Sequence, residues 1–168
     1  MKYIATEYGT EPCIFICLEK IVGGGIDFLI HLRSPFKDLN PNKWDTRFGG
    51  HLKSGVGTIE GVKMEIKEEI GLKIRPEELK EGECHKRNKF PNCEFTQIYF
   101  LEYNDEMQKL KFGDGEVKKV KWMDAEDIKL SLKKEPQKWS TGLFGFEKNY
   151  EFLKGILGLC YASRHLQR

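Results

Sequence analysis

The stretch that most limits what this chain can become is residues 58–72, Thr-Ile-Glu-Gly-Val-Lys-Met-Glu-Ile-Lys-Glu-Glu-Ile-Gly-Leu. Ile59, Val62, Ile66 and Ile70 recur at three- and four-residue steps, the period of an α-helix, and Gly71 supplies its stop. On a wheel of about 100° per residue, with Glu65 at zero, these four lie between about 60° and about 140°. Glu65, Glu68 and Glu69 share an adjoining arc of about 100°, while Lys63 and Lys67 stand away from them, at about 160° and about 200°. The apolar arc needs a second layer to lie on. The acidic arc needs a different explanation. Like charges at i,i+3 and i,i+4 each cost a few tenths of a kcal/mol, and a solvated face ordinarily interleaves lysines among its glutamates. Two readings stand: a charged surface helix without a ligand, or a flank of hard oxygen donors for a divalent cation such as Mg²⁺.

The rest of the chain supplies the layer. Residues 14–19 and 27–33, rich in Ile, Phe and Leu, read as the strands of a hairpin whose turn covers 22–25. Gly23, Gly24 and Gly25 serve that turn; no helix opens after them, so they are not a phosphate loop. Residues 34–42, with Pro35 and Pro41, read as a loop, and 44–51 as a short strand ending at Gly49-Gly50. Two more strands are expected over 94–103 and 116–123. A short helix capped by Asp124 is expected over 124–132, and a terminal helix over 147–165 with Phe152, Ile156, Leu157 and Cys160 at helical spacing. This order predicts an α+β fold, a mixed β-sheet with helices packed on it. At 168 residues the chain reads as a single domain spanning 1–168, with a core of about 12–160. A chain of this size buries roughly 70% of its unfolded surface, so no disulfide or metal staple is needed.

Charge and cysteine usage narrow the functional classes. Lys plus Arg is 28 and Asp plus Glu 26, a net +2 that is too even for a nucleic-acid or membrane partner held by bulk charge. With 39% hydrophobic and 12% aromatic residues, the chain is not disordered. The longest apolar run, 13–18, falls far short of the roughly 18 residues of a membrane span. Residues 1–12 lack the apolar centre of a secretion signal, so a soluble, cytoplasmic protein is expected. Five cysteines without a CxxC pair read as free thiols of a reducing compartment. Cys84, His85 and Cys93 match no usual zinc spacing and read as ordinary residues of a loop.

Spacing then adds what the helix alone leaves open. The segment resembles the Nudix box, G-x5-E-x7-R-E-U-x-E-E-x-G-U with U a bulky aliphatic residue. Gly50 matches its first glycine, and Glu65, Ile66, Glu68, Glu69, Gly71 and Leu72 match its second half without a gap. Beyond the box, residues 30–34 look like the strand preceding the family's binding loop. Lys37, Trp44-Asp45 and Gly49-Gly50-His51 look like the isopentenyl-diphosphate-isomerase-like branch, and Glu116-Val117 through Trp122 is similar to a later strand. The isomerase itself uses a cysteine where this chain has Gly49, so isomerisation is not expected. The resemblance implies a Nudix-type α/β/α sandwich and a hydrolase that cleaves a pyrophosphate bond in a nucleoside diphosphate derivative or related organic pyrophosphate.

What the resemblance implies residue by residue is a metal site and a phosphate site. Glu65, Glu68 and Glu69, with the backbone carbonyl of Gly49, would hold Mg²⁺ or Mn²⁺. Glu65 would be the catalytic glutamate, and Glu68 a further ligand or the base for the attacking water. Glu116 would be an extra carboxylate ligand, or else a solvated residue at a strand edge. Arg33, Lys37, Arg47 and Lys53 would face phosphate, or else serve as solvated surface charges. His51 would contact substrate, or else be a structural histidine at a strand end. Trp44 and Phe48 would stack on a base, or else belong to the core, the better reading for strand aromatics. The expected partner is a small nucleoside diphosphate-type molecule, and dimers are common in the family. Two departures bear on rate: the first motif glutamate falls on Val56 and the motif arginine on Met64. Neither uncharged side chain can make a charge-assisted hydrogen bond. Slow hydrolysis is expected, the alternative being an inactive nucleotide-binding or regulatory module on the same fold.

Overall fold

The computed structural model describes residues 11–22, 25–89, 92–113 and 115–165. A mixed sheet forms its middle layer. Strand β1 (Glu11–Val22) pairs antiparallel with β2 (Gly25–Arg33) from Glu19↔Phe28 to Val22↔Gly25. This is the expected hairpin; the glycine turn at 23–24 lies outside the described residues. Strand β3 (Trp44–Asp45) adds to β2 at Leu32 and His31. Strand β5 (Asn92–Glu102) runs parallel to β1, from Glu11↔Glu94 to Glu19↔Glu102, and β4 (Leu79–Lys89) lies antiparallel beyond it. Strand β6 (Val117–Asp124) pairs antiparallel with β2. The order is β3-β2-β1-β5-β4, with β6 also on β2.

Strand alternation sends neighbouring residues to opposite faces. Ile26, Phe28 and Ile30 of β2, with Ile98 and Phe100 of β5, enter one core. Leu29, Tyr99 and Leu101 enter the other. Helix α1 (Thr58–Ile70) covers the second face, and its Val62, Ile66 and Ile70 are fully buried there. Each such side chain contributes roughly 1.5–3 kcal/mol relative to exposure. Helices α2 (Ala125–Lys134) and α3 (Phe146–His165) cover the first face through Ile128, Phe146, Tyr150, Leu153 and Leu157. The result is the expected α+β sandwich, with the carboxylate helix on one side of the sheet and α2 and α3 on the other.

Local signals account for several element ends. Gly71 closes α1 in the left-handed conformation at φ 74°, where a Cβ would lie 2.8 Å from Lys111 Cβ. Asp124 caps α2 by accepting the N–H groups of Glu126 at 2.8 Å and Asp127 at 3.4 Å.

Other expectations need correction. The strand expected over 44–51 is confined to Trp44–Asp45, because the Asp45 side chain captures the Arg47 N–H at 3.0 Å and turns the chain. Strand β4 was not expected. Its sequence, Leu-Lys-Glu-Gly-Glu-Cys-His-Lys-Arg-Asn-Lys, has the charge typical of a sheet edge and carries Gly82, where a Cβ would meet the Phe100 ring at 2.9 Å. Cys84 is therefore an exposed strand residue, not a loop thiol. On α3 the inward face is set by Phe146 and Tyr150, whose rings lie 5.2 and 6.2 Å from Phe28, and Phe152 is turned outward.

Candidate active site

Burial of Val62, Ile66 and Ile70 fixes the rotation of α1 and so presents its acidic flank to the loop that follows β3. Glu69 Oε2 accepts the Gly49 N–H at 2.7 Å. Gly49 has φ 133°, a backbone that side-chain-bearing residues rarely adopt, so the glycine is required where the loop meets the helix. The Glu65 carboxylate rests over Gly50; a Cβ there would come within 3.3 Å of its Oε2. Burial pushes the Glu65 pKa up, and the charges of Glu68 and Glu116 push it further; Lys53 and His51 oppose them. Three carboxylates thus share one electrostatic neighbourhood, with two cationic or protonatable groups facing it.

Glu116, just before β6, is brought there by the loop over 34–42. Its carbonyl accepts the Ser34 N–H at 2.7 Å, and its carboxylate pairs with Lys37 Nζ at 2.5 Å. Arg33 Nε donates to the Leu39 carbonyl at 3.2 Å, bracing the same loop. His51 and Lys53 are exposed on the segment leading to α1. Arg47 is placed differently from the other expected cations: Nε and Nη2 bind the Asp45 carboxylate at 3.2 and 3.4 Å. Val56 and Met64, at the two departing motif positions, are half-buried.

A polar cluster that sequence reading did not single out lies beneath this loop. Asp45, 4% exposed, accepts from Arg47 and from Ser140 Oγ at 2.5 Å. Burial works to raise its pKa, yet Arg47, His31 and the Ser140 hydroxyl together hold it below the usual carboxylate range. His31 is buried, with its ring centroid 4.5 Å from that of Phe48, and burial lowers its pKa to about 4 against the pull of Asp45. Its Nδ1 finds no hydrogen-bond partner among the described residues. Phe48, 2% exposed, is a core residue, in line with the reading of strand aromatics. An Asp two residues before an Arg at a strand end is a turn signal that could have exposed the first contact. Ser140, far away in sequence, left no local trace.

Among the described residues, no three His, Cys, Asp or Glu side chains are drawn together closely enough to form a ready-made metal shell. The donor chemistry nonetheless fits a hard divalent ion. The groups are oxygen donors on a rigid helix, and Glu65 is disfavoured as an anion first by burial and then by the charges of Glu68 and Glu116, a penalty that an added cation would relieve.

The carboxylate helix, the glycine contact and the sandwich around them define a class. The NUDIX domain family matches residues 13–142, and the chain belongs to that family. The chain is 29% identical over 115 residues to Nudix hydrolase 3 of Arabidopsis thaliana, a match covering 64% of this chain and 15% of the plant protein. A crystal structure of DR0079 from Deinococcus radiodurans superimposes with a TM-score of 0.66 at 18% identity, covering 88% of this chain and 90% of that one. The NUDIX domain of Shewanella oneidensis NrtR, crystallised with ADP ribose, superimposes with a TM-score of 0.56 at 13% identity, covering 73% and 77%. No helix among the described residues is long and apolar enough to cross a membrane.

Proposed function

We propose that this domain hydrolyses a pyrophosphate bond in a nucleoside diphosphate derivative, slowly and with Mg²⁺ or Mn²⁺. The observation that carries the reading is the half-buried Glu65 carboxylate, lying over Gly50 within the fields of Glu68 and Glu116, on the flank where Glu69 holds the Gly49 peptide. Glu65 and Glu69, with Glu116 and the Gly49 carbonyl, would hold the ion, with Glu68 a further ligand or the base for the attacking water. When bound, such an ion neutralises phosphate charge and makes water a competent nucleophile near neutral pH. Glu68 is exposed on the outer side of the flank, where it can accept a proton from an attacking water. Lys53 and His51, whose charges act on Glu65, meet the phosphates, and Lys37 approaches from the loop over 34–42 and Arg33 from the end of β2. Arg47, engaged by Asp45, supports the site from beneath. The ADP ribose bound by the Shewanella NUDIX domain makes that compound a sensible first substrate. Phosphate release from a panel of nucleoside diphosphate derivatives with Mg²⁺ or Mn²⁺ tests the proposal. Glu69→Gln should lower the rate at least about tenfold, since a charge-assisted contact to the site's loop is lost; equal rates would remove this helix from catalysis.

A second reading is favoured by Val56 and Met64 and by the lack of a converged three-ligand shell among the described residues. The same site would then bind a nucleotide without turning it over. Calorimetry with ADP ribose and Mg²⁺ that gives binding without product supports this reading. In that case Val56→Glu with Met64→Arg should raise turnover; no change would show that the missing groups are not the limitation.

A further inference from the structure

We infer that Asp45 is a positioning residue for the carboxylate site: from beneath, its buried carboxylate fixes the turn that delivers the Gly49 N–H to Glu69. As an account of catalysis the inference rests on the hydrolase reading above; as an account of geometry it stands alone. Asp45 is 4% exposed and receives three kinds of donor: the Arg47 N–H at 3.0 Å, the Arg47 guanidinium at 3.2 and 3.4 Å, and Ser140 Oγ at 2.5 Å. The first two contacts shape the turn. The third ties it to the segment after α2, on the far side of the sheet, and that segment is also bound to β3 through the Ser140 N–H on the Trp44 carbonyl at 2.9 Å.

From this anchor the chain has little freedom. Phe48 is wedged at 2% exposure against His31, and the next residue is Gly49, whose N–H meets Glu69 at 2.7 Å. A buried ion pair is weak support for stability, because well-packed apolar side chains of the same volume often do as well or better. The role inferred for this pair is to select one arrangement in place of several, and the arrangement selected ends on a proposed catalytic helix. A displacement of about 1 Å at such a contact is enough to cost on the order of a hundredfold in rate.

The test compares wild type, Glu69→Gln, Asp45→Asn and Ser140→Ala, with glycine ¹⁵N-labelled. Asp45→Asn keeps the shape and removes the charge; Ser140→Ala removes one hydrogen bond and keeps the fold if Asp45→Asn does not. Selective ¹³C-carbonyl labelling of phenylalanine confines the Gly49 amide resonance to the three glycines that follow a phenylalanine, Gly49 after Phe48 among them, and Glu69→Gln picks it out of these and gives the direction in which it moves when its charge-assisted bond is lost. Asp45→Asn, or Ser140→Ala to a smaller extent, is expected to move that resonance in the same direction. The same variants are expected to lower kcat, about tenfold for Asp45→Asn, with KM within about twofold, at temperatures where circular dichroism shows full folding. A Gly49 resonance that stays in place overturns the inference, and a shifted resonance with unchanged kcat overturns it as an account of catalysis. If wild type hydrolyses nothing in the panel, the hydrolase reading fails, while the Gly49 resonance still decides whether Asp45 sets the loop.

Discussion

His31 shows how one side chain near the site links structure to acidity. Burial holds its pKa at about 4 in the folded protein, against 6.5 for the free group. Between those values the unfolded chain binds the proton and the folded chain does not. The stabilising contribution is therefore complete above about pH 6.5 and is lost as pH falls towards 4, with an integrated value of roughly 3 kcal/mol. His31→Phe keeps a flat ring against Phe48 and removes the titration. Urea unfolding at pH 7 and pH 5 should show a steeper loss for wild type than for His31→Phe; parallel losses would assign acid sensitivity to other groups. Glu65 has the opposite sign: its raised pKa means that its ionised form opposes folding as pH rises through the folded value. Residues of the candidate site were legible in the sequence where they were contiguous. Glu65, Glu68 and Glu69 could be grouped from helical spacing alone, and Gly49 and Gly50 from the box resemblance. Asp45 and His31 were not, because their partners are assembled by tertiary contacts.

At the scale of elements, the same distinction separates α1 from β4. The apolar period of α1, its glycine stop and the Asp124 cap of α2 are local signals, and each stands where the residues imply. The edge strand β4 is specified by pairing with β5 and by tolerance of Gly82 over the Phe100 ring, neither of which has a periodic signature. The rotation of α3 follows from ring contacts with Phe28, so residues at helical spacing pointed to the wrong face for Phe152. The end of α1 is the element most exposed to test. Gly71→Ala places a Cβ on a left-handed backbone and 2.8 Å from Lys111 Cβ. A loss of about 1–2 kcal/mol from the backbone conformation is expected, and the crowding adds to it. Thermal unfolding measures this; an unchanged midpoint would mean that the turn to Lys111 is free to move.

Across the whole molecule, the sheet separates two cores that share strands but few tasks. Phe28 looks towards α2 and α3, and Leu29, its neighbour, supports α1. Phe28→Leu should lower stability by about 1–2 kcal/mol, as expected for a modest loss of buried volume. The kcat of the folded protein should be unaltered. Leu29→Ala should cost about 2–5 kcal/mol and also lower kcat, because α1 loses its seat. Paired measurements of unfolding midpoint and turnover check both, and equal effects on kcat would contradict the division. A lineage carrying this domain can thus adjust robustness through the packed faces of α2 and α3, Ser140 and its bond to Asp45 aside, without retuning chemistry, and alternate letters of a single strand record which of the two traits a given change will touch.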